Sequence, residues 1–569
     1  MAMKRTSWIA FCLIMVLCIP AFSQQEMSKE ELTRYAQQKY QEMSELWKQK
    51  KIKEGVAILE NLSAKPNIRD VEGAWVGIQY TLACGYSLLG ENERALAALS
   101  EAVAAGFSDI GQILGDTDLD HLRSDSRFVS ILAHLKMTNY LWESPAFQSP
   151  YKDNLSDDEK IAGLSKLWSE IKYNFVYFDR APTLDWDGLY FEYLPEVRKT
   201  RSTAEYYRVL QKMCAQLRDG HTSVNVPNEL FLELYSRPAF QTLLVEKRVY
   251  IGKVLSESLI KSGIKPGIEI LSIDGLPVHR YAKEFVAQYH SSSTQQGWDV
   301  GTYEFYLLCG SPNKPVELEL SDEKGATSKR TFQRDYRRLQ NFSQPIEFKV
   351  LEDNIGYVAL NTFGDRGLIA SFDSLFPKIE KTESLILDLR ENTGGNSDIG
   401  YDILGYLADR PFRIVTGKTR VYNPFSRSMG RKQTWEAEPP VDWQPHGKKA
   451  YSKPVAVLIG PQTGSAAEDF CATFGAMKRG PMIGAPTAGT TGQPLFFALP
   501  GGGQGVVCTV RTTYPDGREF VGIGIQPDIA APITINDIQS GRDVAVETAV
   551  RKLNSTTTWF YHLHIGLKK

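Results

Sequence analysis

Three short segments carry residues placed to do nucleophilic or acid–base work. The first follows the apolar run Val455–Ile459, which reads as a buried strand. It continues through Gly460-Pro461-Gln462-Thr463-Gly464-Ser465 into Ala466-Ala467-Glu468-Asp469-Phe470, which reads as a helix with Phe474 and Met477 on its packing face. Ser465 thus falls at a strand-to-helix turn at the carboxyl end of a strand, where open α/β sheets bind ligands and a helix N-terminus favours negative charge. A hydroxyl there suits nucleophilic attack. Ser465-x-x-Glu468 also spells a capping box, in which both side chains only satisfy the first backbone N–H groups. From this segment alone both readings stand.

The second segment ends the strand Ser384–Leu389 with Arg390-Glu391-Asn392-Thr393-Gly394-Gly395-Asn396. Paired glycines let backbone N–H groups face a reacting centre, and Gly394 or Gly395 with the amide of Ala466 would build an oxyanion hole; a plain Gly-Gly turn is the competing reading. The third is the turn Arg218-Asp219-Gly220-His221-Thr222, after a helix over Ala204–Leu217 and before the alternating Val224 and Val226. With an unperturbed pKa of ~6.5, His221 can stand neutral and accept a proton, although a lone turn histidine serves equally well as a surface hydrogen-bonding group. Two decoys fail on spacing. Thr416-Gly417-Lys418-Thr419 ends like a phosphate loop, but Phe412 stands where its first glycine is required. Phe470, Phe474 and Met477 sit at core spacing and read as packing.

The elements that must position these groups fall into blocks. Residues 1–23 read as a cleaved signal: Lys4 and Arg5, an apolar run from Trp8 to Pro20 too short to span a bilayer, and a cut near Ser23/Gln24. An uncleaved anchor, or lipidation at Cys18, is the alternative. Residues 28–137 show helical periodicity, with small and aromatic residues (Ala83, Tyr86, Gly90, Ala95, Leu99, Ala102) spaced for close helix packing; this stretch resembles a tetratricopeptide repeat unit, which implies either a partner-docking surface or a spacer. Residues 138–154 read as a linker and 155–230 as a helical part, opening on Ser156-Asp157-Asp158 with Ile161, Leu164, Leu167, Trp168 and Ile171 on one face. Residues 240–335 turn β-rich around Pro266-Gly267 and Asp274-Gly275, resembling a PDZ module that captures extended peptides by strand addition. Residues 345–555 alternate near-continuous apolar strands with helices, the pattern of an α/β layer around a buried sheet, with Arg410–Pro454 as an insertion and Asp537–Leu553 as a closing helix; 556–569 form a tail.

Composition narrows the function classes. With 42% apolar and 23% charged residues, 65 Lys+Arg against 67 Asp+Glu and 569 residues in all, the chain is an ordinary globular protein of about three or four domains with no field to hold nucleic acid. The five cysteines beyond the signal are scattered, so neither a disulfide framework nor a metal site is indicated, and no cofactor is expected.

Taken together, Asp388-Leu389-Arg390-Glu391-Asn392-Thr393-Gly394-Gly395, Thr463-Gly464-Ser465-Ala466-Ala467-Glu468, Gly484-Ala485-Pro486-Thr487-Ala488-Gly489 and Gly522-Ile523-Gly524-Ile525-Gln526-Pro527-Asp528 resemble the C-terminal processing (tail-specific) serine peptidases and their tricorn-like branch. The resemblance spans about Ser156 to Leu553. It implies a multidomain α/β protein with a crotonase-like core, Ser465 as nucleophile, and Gly394 or Gly395 with Ala466 as oxyanion donors. Members that use a Ser–Lys pair place the lysine 25 residues after the serine; Thr490 stands there. The tricorn-like branch uses histidine instead, which implies His221 as base. Its orienting acid falls near Val521 or Gly522, leaving Glu519 or Asp219 as the nearest carboxylates. The expectation is a secreted, periplasmic or envelope serine endopeptidase acting on unfolded or extended polypeptides, with cleavage near the C-terminus as one option, no membrane span after signal cleavage, and a protein partner for its helical N-terminal domain. The alternative is a non-hydrolytic peptide- or ligand-binding envelope protein on the same scaffold.

Overall fold

The computed structural model describes residues 27–71, 73–142, 145–336, 344–447 and 449–566. The expected signal, 1–23, lies outside the described residues. The chain divides into two units, Met1–Ser144 and Pro145–Lys569.

The first unit is helical and has its own core. Its first helix, Lys29–Lys48, starts from a genuine capping box between Ser28 and Glu31. Helices Ala74–Leu88 and Asn92–Ala104 pack with Ala83, Ala95, Leu99 and Ala102 fully buried, so the small residues sit where helices meet. Gly85 shows why: a Cβ there would stand 2.5 Å from Val56 Cγ2 on the helix Ile52–Ser63. The last helix runs Ser126–Trp142, into the segment expected to be a linker, because Phe128, Ile131, Leu132 and Leu135 extend the apolar face onto the same core.

In the second unit, helices Asp157–Asn174, Trp186–Lys199 and Thr203–Ala215 bury Leu164, Leu167, Ile171 and Tyr207 against the main core. The Tyr207 hydroxyl donates to Pro500 O at 2.7 Å and accepts from Gly503 N at 2.9 Å. This latch ties the last of these helices to the strand Gly503–Cys508. Beside it Ser223–Asn225 pairs antiparallel with Val506–Gln504, a long-range pairing that sequence patterning does not announce.

Residues 240–332 form an antiparallel sheet in the order Phe240–Val245, Arg248–Val254, Glu269–Ile273, Val316–Ser321, Thr327–Phe332, with helix Val278–Phe285 and a separate apolar core. The main sheet runs Ile529–Ala530, Met482–Gly484, Val455–Ile459, Ser384–Asp388, Ile355–Leu360, Ile346–Val350, parallel except for the last pair. Its central strands are wholly buried because both faces are covered. Leu385, Leu387, Val455, Val457 and Ile459 face the main core, while Ile386, Ala456, Leu458 and Ile483 meet Ala545, Ala549 and Leu553 of the final helix.

Two expected elements are divided. The run Val506–Tyr514 breaks at Thr509, whose N–H bonds Gln493 O, so that Val510–Thr513 leaves for a second sheet with Thr416–Val421 of the insertion. The closing helix is split by Gly541, at φ +69°, into Ile535–Ser540 and Val544–Gly566.

Candidate active site

Ser465 occupies the turn between Val455–Ile459 and the helix Ala466–Met477 with φ +54° and ψ −128°. A non-glycine residue held there stores about 1–3 kcal/mol of strain. Its side chain makes no capping bond, which overturns the capping-box reading. Instead Oγ lies 3.0 Å from His221 Nε2. Glu468 turns inward: its buried carboxylate accepts from Thr487 Oγ1 and from the amides of Gly489 and Thr490, the latter two at 2.7 Å. Burial pushes this carboxyl up to about 8 even though three donors favour the charged form.

His221 is carried by a turn that the loop Ser291–Ser293 pins in place. Asp219 N donates to Ser291 Oγ at 2.9 Å, Gly220 N donates to Ser293 Oγ at 3.0 Å, and Asp219 accepts from Ser293 and from Thr222 Oγ1. Burial holds the imidazole below its ordinary value, and the Asp219 charge opposes that. The second ring nitrogen, Nδ1, lies 2.8 Å from Thr490 Oγ1.

Neither carboxylate expected to orient His221 bonds it. Glu519 is spent on Arg511, at 2.6 Å, and Arg180, at 3.5 Å, which hold it below the usual carboxylate range. Asp219 acts on the ring through its charge, its oxygens being taken by Thr222 and Ser293. Proximity in sequence to His221 or to the Pro-Asp motif misled here.

Of the three expected oxyanion donors, Gly394 is corrected: its N–H donates to Asn392 Oδ1 at 2.9 Å. What Gly394 supplies is room, since a Cβ on it would stand 2.6 Å from Ser465 Cβ and 3.1 Å from Ala466 N. The amides of Gly395 and Ala466 bond no acceptor among the described residues. Free backbone donors of this kind are what a developing oxyanion requires.

A cavity of about 300 Å³ adjoins these groups, between Gly464, Thr393, Ala488 and Thr490 on one side and Tyr289, Val300, Phe305 and Tyr306 on the other. Arg208 also lines it, stacked over Tyr289 and bonded to Gln211, with no carboxylate at ion-pair distance among the described residues. Glu304, which burial pushes up to about 7, accepts from Gln462 Nε2 at 2.7 Å and so ties the β-rich module to the turn ahead of Ser465. In the helical unit Cys84, Asp116 and Asp118 gather closely, but Asp116 there caps a helical turn and accepts from Tyr80.

A parallel sheet that lifts a strained serine to a histidine, with the free amide of Ala466 next to it, defines a serine hydrolase arrangement. Comparison with known proteins shows what the chain is similar to. Residues 354–531 match peptidase family S41, and residues 163–215 match the tricorn protease C1 domain. These matches make the chain similar to serine peptidases of the C-terminal processing type. It is 22% identical over 372 residues to the carboxyl-terminal-processing protease of Synechocystis sp., covering 62% of this chain and 78% of that protein. Carboxyl-terminal-processing peptidase 1, chloroplastic, of Arabidopsis thaliana is 24% identical over 348 residues, covering 58% of this chain and 63% of the relative. Mature CPAF complexed with lactacystin shares the fold at a TM-score of 0.55 and 17% identity, over 72% of this chain and 99% of that structure.

Sequence reasoning missed Thr490 and Glu468 as site residues. For Thr490 a signal existed: the position where a Ser–Lys site puts its base carries another hydrogen-bonding side chain.

Proposed function

We propose that the protein is an exported serine endopeptidase that cleaves extended polypeptide near its C-terminus, with Ser465 as nucleophile and His221 as general base. The observation that carries the reading is the 3.0 Å approach of Ser465 Oγ to His221 Nε2 at a strained strand-to-helix turn. Neutral His221 takes the Ser465 proton as Oγ attacks the peptide carbonyl, and Gly395 and Ala466 amides hold the oxyanion. The imidazolium then returns its proton to the leaving amine. A water activated by His221 hydrolyses the acyl-enzyme.

The cavity supports an apolar or aromatic substrate side chain, and the guanidinium of Arg208 supports a carboxylate nearby, as a chain end supplies. The antiparallel module over 240–332 supports a PDZ-like role in holding peptide by strand addition, and the crotonase-like reading rests on the parallel sheet. The helical unit at 28–137 is read as tetratricopeptide-like and as a docking surface for a partner. Export rests on the N-terminal residues; among the described residues no helix is long and apolar enough to cross a membrane.

The test incubates mature protein and its Ser465→Ala form with an unstructured polypeptide ending in apolar residues, with fragments read by mass spectrometry. Cleavage by the parent alone supports the reading, and fragment ends separate tail processing from general endoproteolysis. Equal cleavage by both forms removes Ser465 from the mechanism.

A further inference from the structure

The ring of His221 needs an orienting partner, and the structure offers one that the two carboxylates expected for the role do not. To accept from Ser465, the neutral imidazole must leave Nε2 bare and carry its proton on Nδ1. That Nδ1–H then donates to Thr490 Oγ1 at 2.8 Å. The same residue holds the nucleophile: Ser465 N donates to Thr490 O at 2.8 Å. Its own N–H is fixed by the buried carboxyl of Glu468 at 2.7 Å. Room for its side chain is provided at Gly220, where a Cβ would stand 2.5 Å from Thr490 Oγ1.

We propose that Thr490 is the positioning residue of the site, setting the His221 tautomer through its hydroxyl and the Ser465 backbone through its carbonyl, with Glu468 as its buried anchor. This rests on the Ser465–His221 reading above. Orientation and charge, which a single carboxylate supplies in a Ser-His-Asp triad, are divided here. Thr490 directs the ring, while Asp219 provides a negative charge nearby without touching it.

The experiment compares Thr490→Val, which keeps the shape and removes the hydroxyl, with Thr490→Ser, which keeps the hydroxyl. Both are assayed for kcat, KM and the pH dependence of kcat/KM on a peptide the parent cleaves, with thermal unfolding in parallel. Loss of one buried hydrogen bond leads to a fall in kcat of about 10- to 100-fold in Thr490→Val, with KM within about threefold. Thr490→Ser should return kcat to within about threefold of the parent, because it restores the same bond. With Asp219 and Glu468 unchanged, the acid limb of Thr490→Val moves to lower pH, since protonated His221 has lost the acceptor for its Nδ1–H. A role in folding alone would lower the unfolding temperature without moving that limb. Thr490→Val with parental kcat, or Val and Ser variants impaired alike with an unmoved limb, overturns the proposal. Parental cleavage that persists in Ser465→Ala overturns the underlying reading instead, so the two failures are told apart.

Discussion

Gly394→Ala tests how closely the Gly-Gly turn braces Ser465, the proposed nucleophile. At φ +109° an alanine costs about 1–3 kcal/mol in backbone strain alone. The new Cβ would also stand 2.6 Å from Ser465 Cβ and 2.9 Å from Gly464 O. Carbon atoms pack at about 3.5–4.0 Å, so Ser465 or the turn must give by about 1 Å. Ser465 Oγ starts 3.0 Å from His221 Nε2, and a displacement of that size takes it out of hydrogen-bond range. A misplacement of about 1 Å at a reacting group lowers turnover by about 100-fold. The assay is kcat and KM on a fluorogenic peptide beside chemical denaturation. Gly430→Ala is the control: Gly430 also has positive φ, +65°, but nothing lies within 4 Å of its Cβ position. The expected result is a kcat near one-hundredth of parental for Gly394→Ala, and strain without loss of turnover for Gly430→Ala. Gly394→Ala with kcat within about threefold of the parent would refute the claim that the turn sets the position of Ser465.

The proposed mechanism needs His221 neutral, and burial holds it low, so the acid limb of kcat/KM should fall below the usual imidazole value of ~6.5. Asp219→Asn removes the charge that opposes burial, so rate profiles against pH should show that limb lower still, with kcat reduced. Tyr207→Phe strands the buried Gly503 N–H and Pro500 C=O, and urea unfolding should show a loss of about 2–4 kcal/mol. Glu468 has its folded pKa raised above the unfolded value of ~4.3, so it contributes stability at acid pH that is lost as pH rises through about 8. Urea midpoints of the parent should therefore decline across that interval more than those of Glu468→Gln; parallel declines would contradict a buried carboxyl there.

The parts of this site that could be read beforehand are those written within one segment. The strand Val455–Ile459 and the turn into the following helix are contiguous, so apolar run, glycines and serine announce a strand-to-helix turn without knowledge of the rest. The choice between cap and nucleophile could not be made there, because it depends on Glu468 turning inward to residues 487–490, which only the folded loop reveals. His221 was accessible through the family pattern rather than through its own turn. Its partner was not: Thr490 lies 269 residues away, and no periodicity links two such positions. The split at Thr509 escaped for a related reason. Alternation along Val506–Tyr514 suits one strand or two equally, and the decision is made by Gln493 and the insertion strand. At the expected linker the helix Ser126–Trp142 runs on past residue 138, a helix end that composition does not mark.

The pairing of Ser223–Asn225 with Val506–Gln504 also sets a clock. His221 leaves the ribosome 244 residues before Ser465, and the strand that receives its segment follows later still. A growing chain adds 244 residues with His221 made and no Ser465 beside it, and then more with Ser465 present and no docking strand. Under the proposed mechanism, cutting power arrives only after the strand Gly503–Cys508 has emerged as well. If the proposed function holds, the newborn chain is thereby kept from attacking itself before its site is assembled.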